Sequence, residues 1–328
     1  MKLLLHALPL AILAATASAD VRLTRLADRV RVEVDGTLFT EYVFGDGASR
    51  PYCYPILLAD GTGLTRDYPM KKTPGEDRDH PHHRALMFAH GDANKIDFWN
   101  EGKAGPPLPK GRTEHFSLGV LGHGDEGQFQ TRNRWLAPDG RVIATDLTTL
   151  TFRDAGGGNR TLDYGITIYA LPGEPLVLGD TKEGTMAIRV AQWLTPPHRL
   201  SGKEIPGTGR IVNAAGDRDA AAWGKRAAWC AYSGEHGGKT YGVAIFDHPQ
   251  NLRHPTWWMA RDYGLFAANP FGQHDFESTK EKPLPPGLGN HTIPAGGSLT
   301  LRYRFFFHEG DPATAKLADH YAAYAAGR

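Results

Sequence analysis

The sequence predicts an all-β protein: a large antiparallel β-sandwich with one short C-terminal helix. Apolar and polar residues alternate along most of the chain, and turns rich in glycine and proline separate the alternating stretches. Only one stretch has the composition of a good helix. There is no strand–helix–strand rhythm and no glycine-rich phosphate loop, so nucleotide-binding α/β folds are excluded. We expect about fifteen strands in one unit.

Residues 1–19 are typical of a secretory signal peptide. Lys2 supplies the positive start, an apolar run follows, and Ala17-Ser18-Ala19 is a small-residue cleavage site. The sequence therefore predicts a periplasmic or secreted protein whose mature chain, residues 20–328, forms a single domain. No later stretch approaches the roughly twenty apolar residues of a spanning helix, so we expect no membrane insertion after cleavage.

The elements follow from local patterns. Alternation over residues 21–44 around Asp35-Gly36 predicts a hairpin. Alternation returns over residues 114–152, with a turn at residues 138–140, and residues 298–308 form the clearest strand. Residues 62–79 and 201–219 lack a pattern and are predicted to be loops. Alanine-rich residues 312–326 predict the helix, with Asp311 as its cap and Pro312 at its first position.

Charge and cysteine content exclude some functions. The chain has 37 Lys and Arg against 36 Asp and Glu, and no basic run, so nucleic acid is not an expected partner. Cys53 and Cys230 are the only cysteines. We expect two buried free thiols, with a disulfide as the alternative because an exported chain meets an oxidising environment.

Residues 79–102 carry an unusual concentration of titratable groups. Four of the fifteen histidines are here, at positions 80, 82, 83 and 90. A solvated loop would be rich in Lys, Glu, Ser and Gly, and a core strand in Val, Ile and Leu, but this stretch is neither. The pattern predicts polar groups at a partly sheltered ligand site. On an extended chain His82 and His90 would share a face, whereas His82 and His83 would not.

Three kinds of chemistry fit these residues. The candidate catalytic set is His82, His83, His90, Asp97 and Glu183. The histidines could act in metal-free acid/base or substrate-binding roles, since their pKa lies near neutrality, or they could be hydrogen-bonded structural groups. His82 and His90 are the candidate metal ligands, but their spacing matches no zinc motif, so a divalent metal is not favoured and the cofactor stays open. Asp97, beside Phe98 and Trp99, either holds a sugar hydroxyl or caps a turn.

A second set of residues is expected to bind substrate. It combines guanidinium, ammonium, amide, imidazole and aromatic groups. Its members are Arg84, Trp99, Lys182, Arg189, His248, Asn251, Arg261, Tyr263 and Asn269. Four of the seven tryptophans lie near these positions, which favours a small carbohydrate or an oligosaccharide as the ligand.

Several motifs together resemble a known family. They are DHPHHR at residues 79–84, HGDAN at 90–94, DFWNEG at 97–102, DTKEG at 180–184, WGKRAAW at 223–229, FDHPQN at 246–251 and RDYGLFAANPFG at 261–272. Over residues 40–310 the chain resembles the DUF6807 family, whose members often carry the label "methane oxygenase PmoA". The resemblance implies an exported bacterial protein with a large β-sandwich similar to the galactose-mutarotase-like supersandwich.

These observations favour an exported carbohydrate-active enzyme of the glycoside hydrolase, lyase or epimerase type. It would act on a glycoside or sugar derivative by histidine and carboxylate acid/base chemistry. A non-catalytic sugar-binding module is the first alternative. A metal-dependent oxidoreductase or lyase, which the PmoA label would suggest, is the second.

Overall fold

The computed structural model describes residues 19–102, 107–200 and 202–327. In this part of the chain two antiparallel sheets of eight strands each pack face to face. The predicted all-β sandwich is therefore confirmed. The predicted signal peptide lies outside the described residues except for Ala19. No helix in the described ranges is long and apolar enough to cross a membrane.

The first sheet contains most of the segments with unusual residues. In spatial order its strands are β1 (Val21–Arg25), β2 (Arg29–Val34), β3 (Thr37–Val43), β4 (Tyr52–Cys53), β5 (Leu86–His90), β11 (Gly184–Arg189), β18 (Leu265–Asn269) and β17 (Trp257–Ala260). The hairpin predicted at Asp35-Gly36 joins β2 to β3, with Asp35 at φ 50° and Gly36 at φ 73°.

The second sheet is built from longer strands. In spatial order these are β14 (Arg210–Asn213), β15 (Trp229–His236), β16 (Lys239–Asp247), β20 (Ser298–Glu309), β9 (Asn159–Ala170), β8 (Val142–Gly156), β7 (Glu126–Leu136) and β6 (Arg112–Leu118). Two small pairs complete the strands: β10 (Leu176–Leu178) with β19 (His291–Ile293), and β12 (His198–Leu200) with β13 (Lys203–Ile205). The helices are α1 (Gln273–Glu277) and α2 (Leu317–Ala325), with 3-10 turns at Gln192–Leu194 and Asp219–Ala222.

The core lies between the two sheets. Phe39 of β3 contacts Phe152 of β8 and Phe307 of β20, with ring centroids 5.9 and 5.7 Å apart. Edge-on contacts between aromatic rings add to the burial of apolar surface. Cys53 in the first sheet and Cys230 in the second are both buried and free, so the free-thiol prediction is confirmed and the disulfide alternative is wrong.

Several local predictions need correction. Helix α2 begins five residues later than expected because Lys316 takes a left-handed conformation (φ 52°), although Asp311 does accept hydrogen bonds from the amides of Ala313 and Thr314. The predicted loop at residues 201–219 contains β13 and β14.

The outer face of the first sheet, which points away from the second sheet, is also apolar. The strand register aligns Met87, Ala187, Ala267 and Met259 in one row across β5, β11, β18 and β17. Trp99, Trp257, Phe276 and, partly buried, Trp223 and Tyr263 pack on this row. We call this surface the outer face, and it carries the candidate site.

Candidate functional site

The histidine stretch reaches the outer face through a tight turn before β5. His80 and Ala85 both have positive φ, 41° and 39°, and the amide of His83 donates to the carbonyl of His80 at 3.0 Å. Since the chain is not extended here, the adjacent His82 and His83 both enter one cluster, with ring centroids 4.3 Å apart. The expectation that they point in opposite directions was made for an extended chain and does not apply to this turn.

His90 lies on the other side of the sheet. It shares a face of β5 with Leu86 and Phe88, which point into the core between the sheets, and its Nε2 lies 3.1 Å from the carbonyl oxygen of Gly179. The structure therefore does not bring His82 and His90 together as the metal prediction requires. Within the described ranges, no group of three or more His, Cys, Asp or Glu side chains is arranged to hold a metal ion.

Three aromatic rings lie parallel in the cluster. His80 stacks on His83 at 4.7 Å and on Tyr263 at 5.3 Å, with interplanar angles of 3° in both cases. Tyr263 comes from the turn between β17 and β18, so the stack joins segments 180 residues apart. Trp99 meets His83 edge-on at 5.6 Å and is fully buried.

A carboxylate shared by two arginines holds this stack. Asp79 accepts hydrogen bonds from Arg66, from His80 and from Nη2 of Arg189 at 2.7 Å. Arg189, the last residue of β11, also lies 3.3 Å from Nδ1 of His83 and over the ring of Tyr263 at 4.7 Å. We call the seven residues Arg66, Asp79, His80, His82, His83, Arg189 and Tyr263 the histidine cluster.

The environment fixes the protonation states in the cluster. Burial, and then the charge of Arg50, lower the pKa of His82 to about 4. Burial and the neighbouring His82 and Arg189 hold the pKa of His83 well below its ordinary value. Burial raises the pKa of Tyr263. At neutral pH the two imidazoles are uncharged and can accept protons, while the phenol is protonated and can donate one.

A second ionic group supports the turn. Arg84 forms a two-point ion pair with Glu101, with Nε 3.0 Å from Oε1 and Nη2 3.1 Å from Oε2. The buried Arg50 donates to the carbonyls of Trp99, at 2.6 Å, and of His82, at 3.0 Å. Arg50 therefore ties the histidine turn to the segment that carries Trp99.

A third group borders the cluster. Lys182 pairs with Glu183 at 3.2 Å, both partly exposed, and Arg261 lies over the ring of Trp223 at 5.1 Å. In addition to the effect of burial, the charge of Arg261 lowers the pKa of the Tyr263 phenol, and the charge of Glu183 raises it. The predicted residues Glu183, Arg261 and Tyr263 are thus neighbours in the structure.

Two predicted residues have structural hydrogen bonds near the cluster. Asp97 accepts bonds from the amides of Trp99, at 2.8 Å, and Asn100, at 3.0 Å, and pairs with Lys110, which is the turn-capping alternative. Asn269 donates to the carbonyl of Thr181 at 2.8 Å and accepts from the amide of Phe271 at 2.9 Å. Each polar atom of both side chains is engaged in a hydrogen bond within the protein.

Two further predicted residues belong to the second sheet. Asn251 bonds the carbonyl of Arg302 at 2.6 Å and the carboxylate of Asp247 at 2.7 Å, so it anchors a loop to β20. His248 lies edge-on to Tyr324 at 5.3 Å and lines a groove of about 690 Å³ on the outside of that sheet. The structure therefore separates His248 and Asn251 from the histidine cluster.

Sequence reasoning missed Arg66, Asp79, Arg50 and Trp223 as members of the site. Arg66 lies in a loop without a pattern, so no local signal identifies it. Asp79 begins the histidine stretch, and its position beside four histidines was a usable signal. Trp223 belongs to the motif WGKRAAW, where its aromatic neighbours gave a weaker one.

Comparison with known proteins adds a family. The profile of DUF6807, described as a family of unknown function, matches residues 29–322. No curated protein matches the chain. Among solved structures, a polysaccharide lyase is similar, with 12% sequence identity and a TM-score of 0.30; the match covers 90% of this chain and 33% of the lyase. The chain spans about a third of the lyase's length. Because the family profile covers most of the sequence and includes every motif of the histidine cluster, this chain belongs to the DUF6807 family.

Proposed function

We propose that the protein is an exported carbohydrate-active enzyme that binds a sugar or sugar derivative at the histidine cluster and acts on it by proton transfer. One observation carries this proposal. Uncharged imidazoles, a protonated phenol and buried arginines from segments far apart in the chain meet on the aromatic outer face. A group of titratable residues with shifted pKa values is characteristic of a functional site.

His82 is the proposed proton acceptor. Its ring is partly exposed, whereas His83 is 2% exposed and has its Nδ1 beside Arg189. Tyr263, which is protonated and partly exposed, is the proposed proton donor, and the negative charge of Glu183 helps to raise the pKa of its phenol. At neutral pH the uncharged imidazole of His82 is the form that accepts a proton, and the phenol of Tyr263 is the form that donates one.

The aromatic surroundings suit a sugar. The rings of His80 and Tyr263 offer parallel flat faces against which the apolar face of a pyranose can pack. Arg84, Lys182 and Arg261 surround them with hydrogen-bond donors for hydroxyl groups. Apolar contact area with a few directed polar groups is the usual composition of a small-ligand site.

The test is turnover of an oligosaccharide library, read by mass spectrometry. We expect His82→Asn and Tyr263→Phe to lower the rate by roughly 100-fold or more while sugar binding persists, because each removes one proton-transfer group. His236→Asn is the control, since His236 is exposed and stacks on Trp193 away from the cluster. Wild-type turnover by His82→Asn would exclude this histidine as the base.

A non-catalytic sugar-binding module is the second candidate, and the groove on the second sheet favours it. Thr149, Thr167, Thr300, Arg302 and Tyr324 line this groove of about 690 Å³, which is within the range of ligand sites. On this alternative no library member is turned over, and Tyr324→Ala, rather than His82→Asn, abolishes sugar binding in calorimetry.

A further inference from the structure

The outer face carries buried hydrogen-bond donors that have no acceptor. Trp99 Nε1 and Arg189 Nε lie in side chains that are 0% and 2% exposed, and neither atom has a partner among the described residues. The buried atoms Trp223 Nε1 and Arg261 Nε also have no hydrogen-bond partner among the described residues. All four are N–H groups that can only donate. Leaving such a group unpaired costs about 1–3 kcal/mol, so native proteins rarely do so without a reason.

These donors belong to one surface. Trp99 contacts His83, and His83 lies beside Arg189. Arg189 lies over Tyr263, and Arg261 lies over Trp223. Trp99, Trp223 and Tyr263 all pack in the apolar cluster of the outer face, above the alanines of β11 and β18. The unpaired donors therefore lie together beneath one face of the molecule, and Arg261, whose side chain is partly exposed, brings the guanidinium of this set to the surface.

The arginines of this surface differ in whether a carboxylate pairs with them. Arg66 and Arg189 share Asp79, and Arg50 and Arg84 share Glu101, with Asp46 a further 3.8 Å from Arg84. Arg261 forms no ion pair within the described ranges and lies over a tryptophan ring instead. Lys182 and Glu183 neutralise each other. The guanidinium of Arg261 is therefore a charged donor on this surface that is available to a ligand.

We propose that the ligand of the histidine cluster is an acidic sugar, a uronic acid or a uronate unit of a glycan. This inference rests on the proposed function and specifies its substrate class. The ring of the sugar packs on the aromatic residues, while its carboxylate accepts hydrogen bonds from the guanidinium of Arg261, which has no ion-pair partner within the described ranges. Charge-assisted hydrogen bonds from guanidinium to carboxylate are roughly twice as strong as neutral ones.

The test is calorimetry of the full mature chain at low salt with matched sugar pairs. The probes are D-galacturonate against D-galactose, D-glucuronate against D-glucose, and inorganic phosphate. We expect the acidic member of at least one pair to bind about tenfold or more tightly than its neutral partner, and phosphate to bind more weakly than that acid. Raising the salt concentration should reduce the preference for the acid.

Two variants and a control locate the effect. Arg261→Gln and Trp223→Phe should reduce the preference for the acidic sugar several-fold, since the first removes the charge and the second removes the indole N–H together with part of the ring over which Arg261 lies. Arg226→Gln is the control, because Arg226 already donates to the carbonyls of Pro255 and Arg253 and lies over a different tryptophan, Trp257.

The outcomes distinguish the two proposals. Equal affinity for acidic and neutral sugars, with binding weakened in Trp99→Phe, would overturn the acidic substrate class and leave the sugar site standing. Phosphate binding as tight as the acidic sugar would show general anion attraction and would also overturn it. If no sugar of either kind binds or is turned over, both the substrate class and the proposed function fail.

Discussion

At the scale of single residues, the uncharged histidines link stability to pH. His82 has a pKa of about 4 in the folded protein against 6.5 for a free histidine. Between these values the unfolded chain binds the proton and the folded protein does not, so the free energy of unfolding falls as the pH drops from about 6.5 to about 4. Above that range the contribution of His82 is fully present.

We predict that His82→Asn flattens this pH dependence. The variant lacks the titrating group. The slope of the unfolding free energy against pH should therefore decrease, by an amount that corresponds to at most one bound proton, between about pH 4 and pH 6.5. Urea unfolding at pH 7, 6 and 5 measures the slope. His236→Asn, in an exposed position, should keep the wild-type slope. A His82→Asn slope equal to wild type would mean that His82 titrates normally in the folded state.

Asp79 is the residue on which the ionic part of the cluster depends. We predict that Asp79→Asn lowers the free energy of unfolding by about 3 kcal/mol, because it leaves two buried arginines without their carboxylate. Glu309→Gln is the control: Glu309 pairs with Lys239 at the surface, and its loss should cost under about 1 kcal/mol. Urea denaturation at pH 7 compares them. Similar losses in both variants would show that Asp79 is not a buried ionic centre.

The sequence predicted which residues belong to the site better than it predicted which of them contact each other. The density of histidines marked His82 and His83, and Arg189, Arg261 and Tyr263 were marked by their polar and aromatic context. The pairing of His82 with His90 was inferred from strand parity, but β5 begins only at Leu86, so that rule did not apply to His82. No local feature of the sequence identifies Arg66 as a site residue, because it meets its partner Asp79 only when the loop between them folds.

At the scale of elements, length determines what a pattern can predict. The long strands β7, β8, β9 and β20 alternate over eleven or more residues, and the sequence predicts them. The two- and three-residue strands β4, β10, β12, β13 and β19 are too short to show a period. They form because tertiary packing places their backbones beside a partner, which local sequence does not encode.

Helix α2 shows how an element depends on its packing. It contains nine residues, which is too short for a stable isolated helix, so it is held by contacts with the outside of the second sheet. Leu317 is 1% exposed and packs in one cluster with Phe246, Phe306 and Tyr324. The contacts of α2, rather than its helix propensity, fix where it lies.

We predict that Leu317→Ala lowers the free energy of unfolding by about 3 kcal/mol, the cost of removing a buried leucine and leaving a cavity. Leu288→Ala is the matched control, since Leu288 is 45% exposed and its truncation should change stability by less than about 1 kcal/mol. Thermal and urea unfolding of both variants provide the measurement. An equally small effect of both substitutions would show that α2 is not docked through Leu317.

At the scale of the whole molecule, the first sheet of the sandwich forms the surface on which the site lies, and the segments that connect strands carry most of its titratable residues. The predicted all-β architecture follows from alternation and turns, which are local properties of the chain. The outer face needs β5, β11, β18 and β17 to become neighbours, and these strands are separated by up to 180 residues. No local sequence rule predicts this order of strands. The sequence could therefore only suggest that the site residues lie close together, and the three-dimensional structure was needed to test that hypothesis.

This convergence predicts a pattern of hydrogen-exchange protection. With saturating D-galacturonate, we expect slower amide exchange in residues 79–85, 182–189 and 261–264 together, because one ligand contacts all three segments on the outer face. Residues 248–254, in the loop that follows β16 of the second sheet, should exchange as in the free protein. At a ligand concentration of about 100 times Kd the whole protein should gain about 2.7 kcal/mol of stability. Protection confined to residues 248–254 and the groove beside Tyr324 would instead place the sugar on the second sheet and remove the histidine cluster from the binding site.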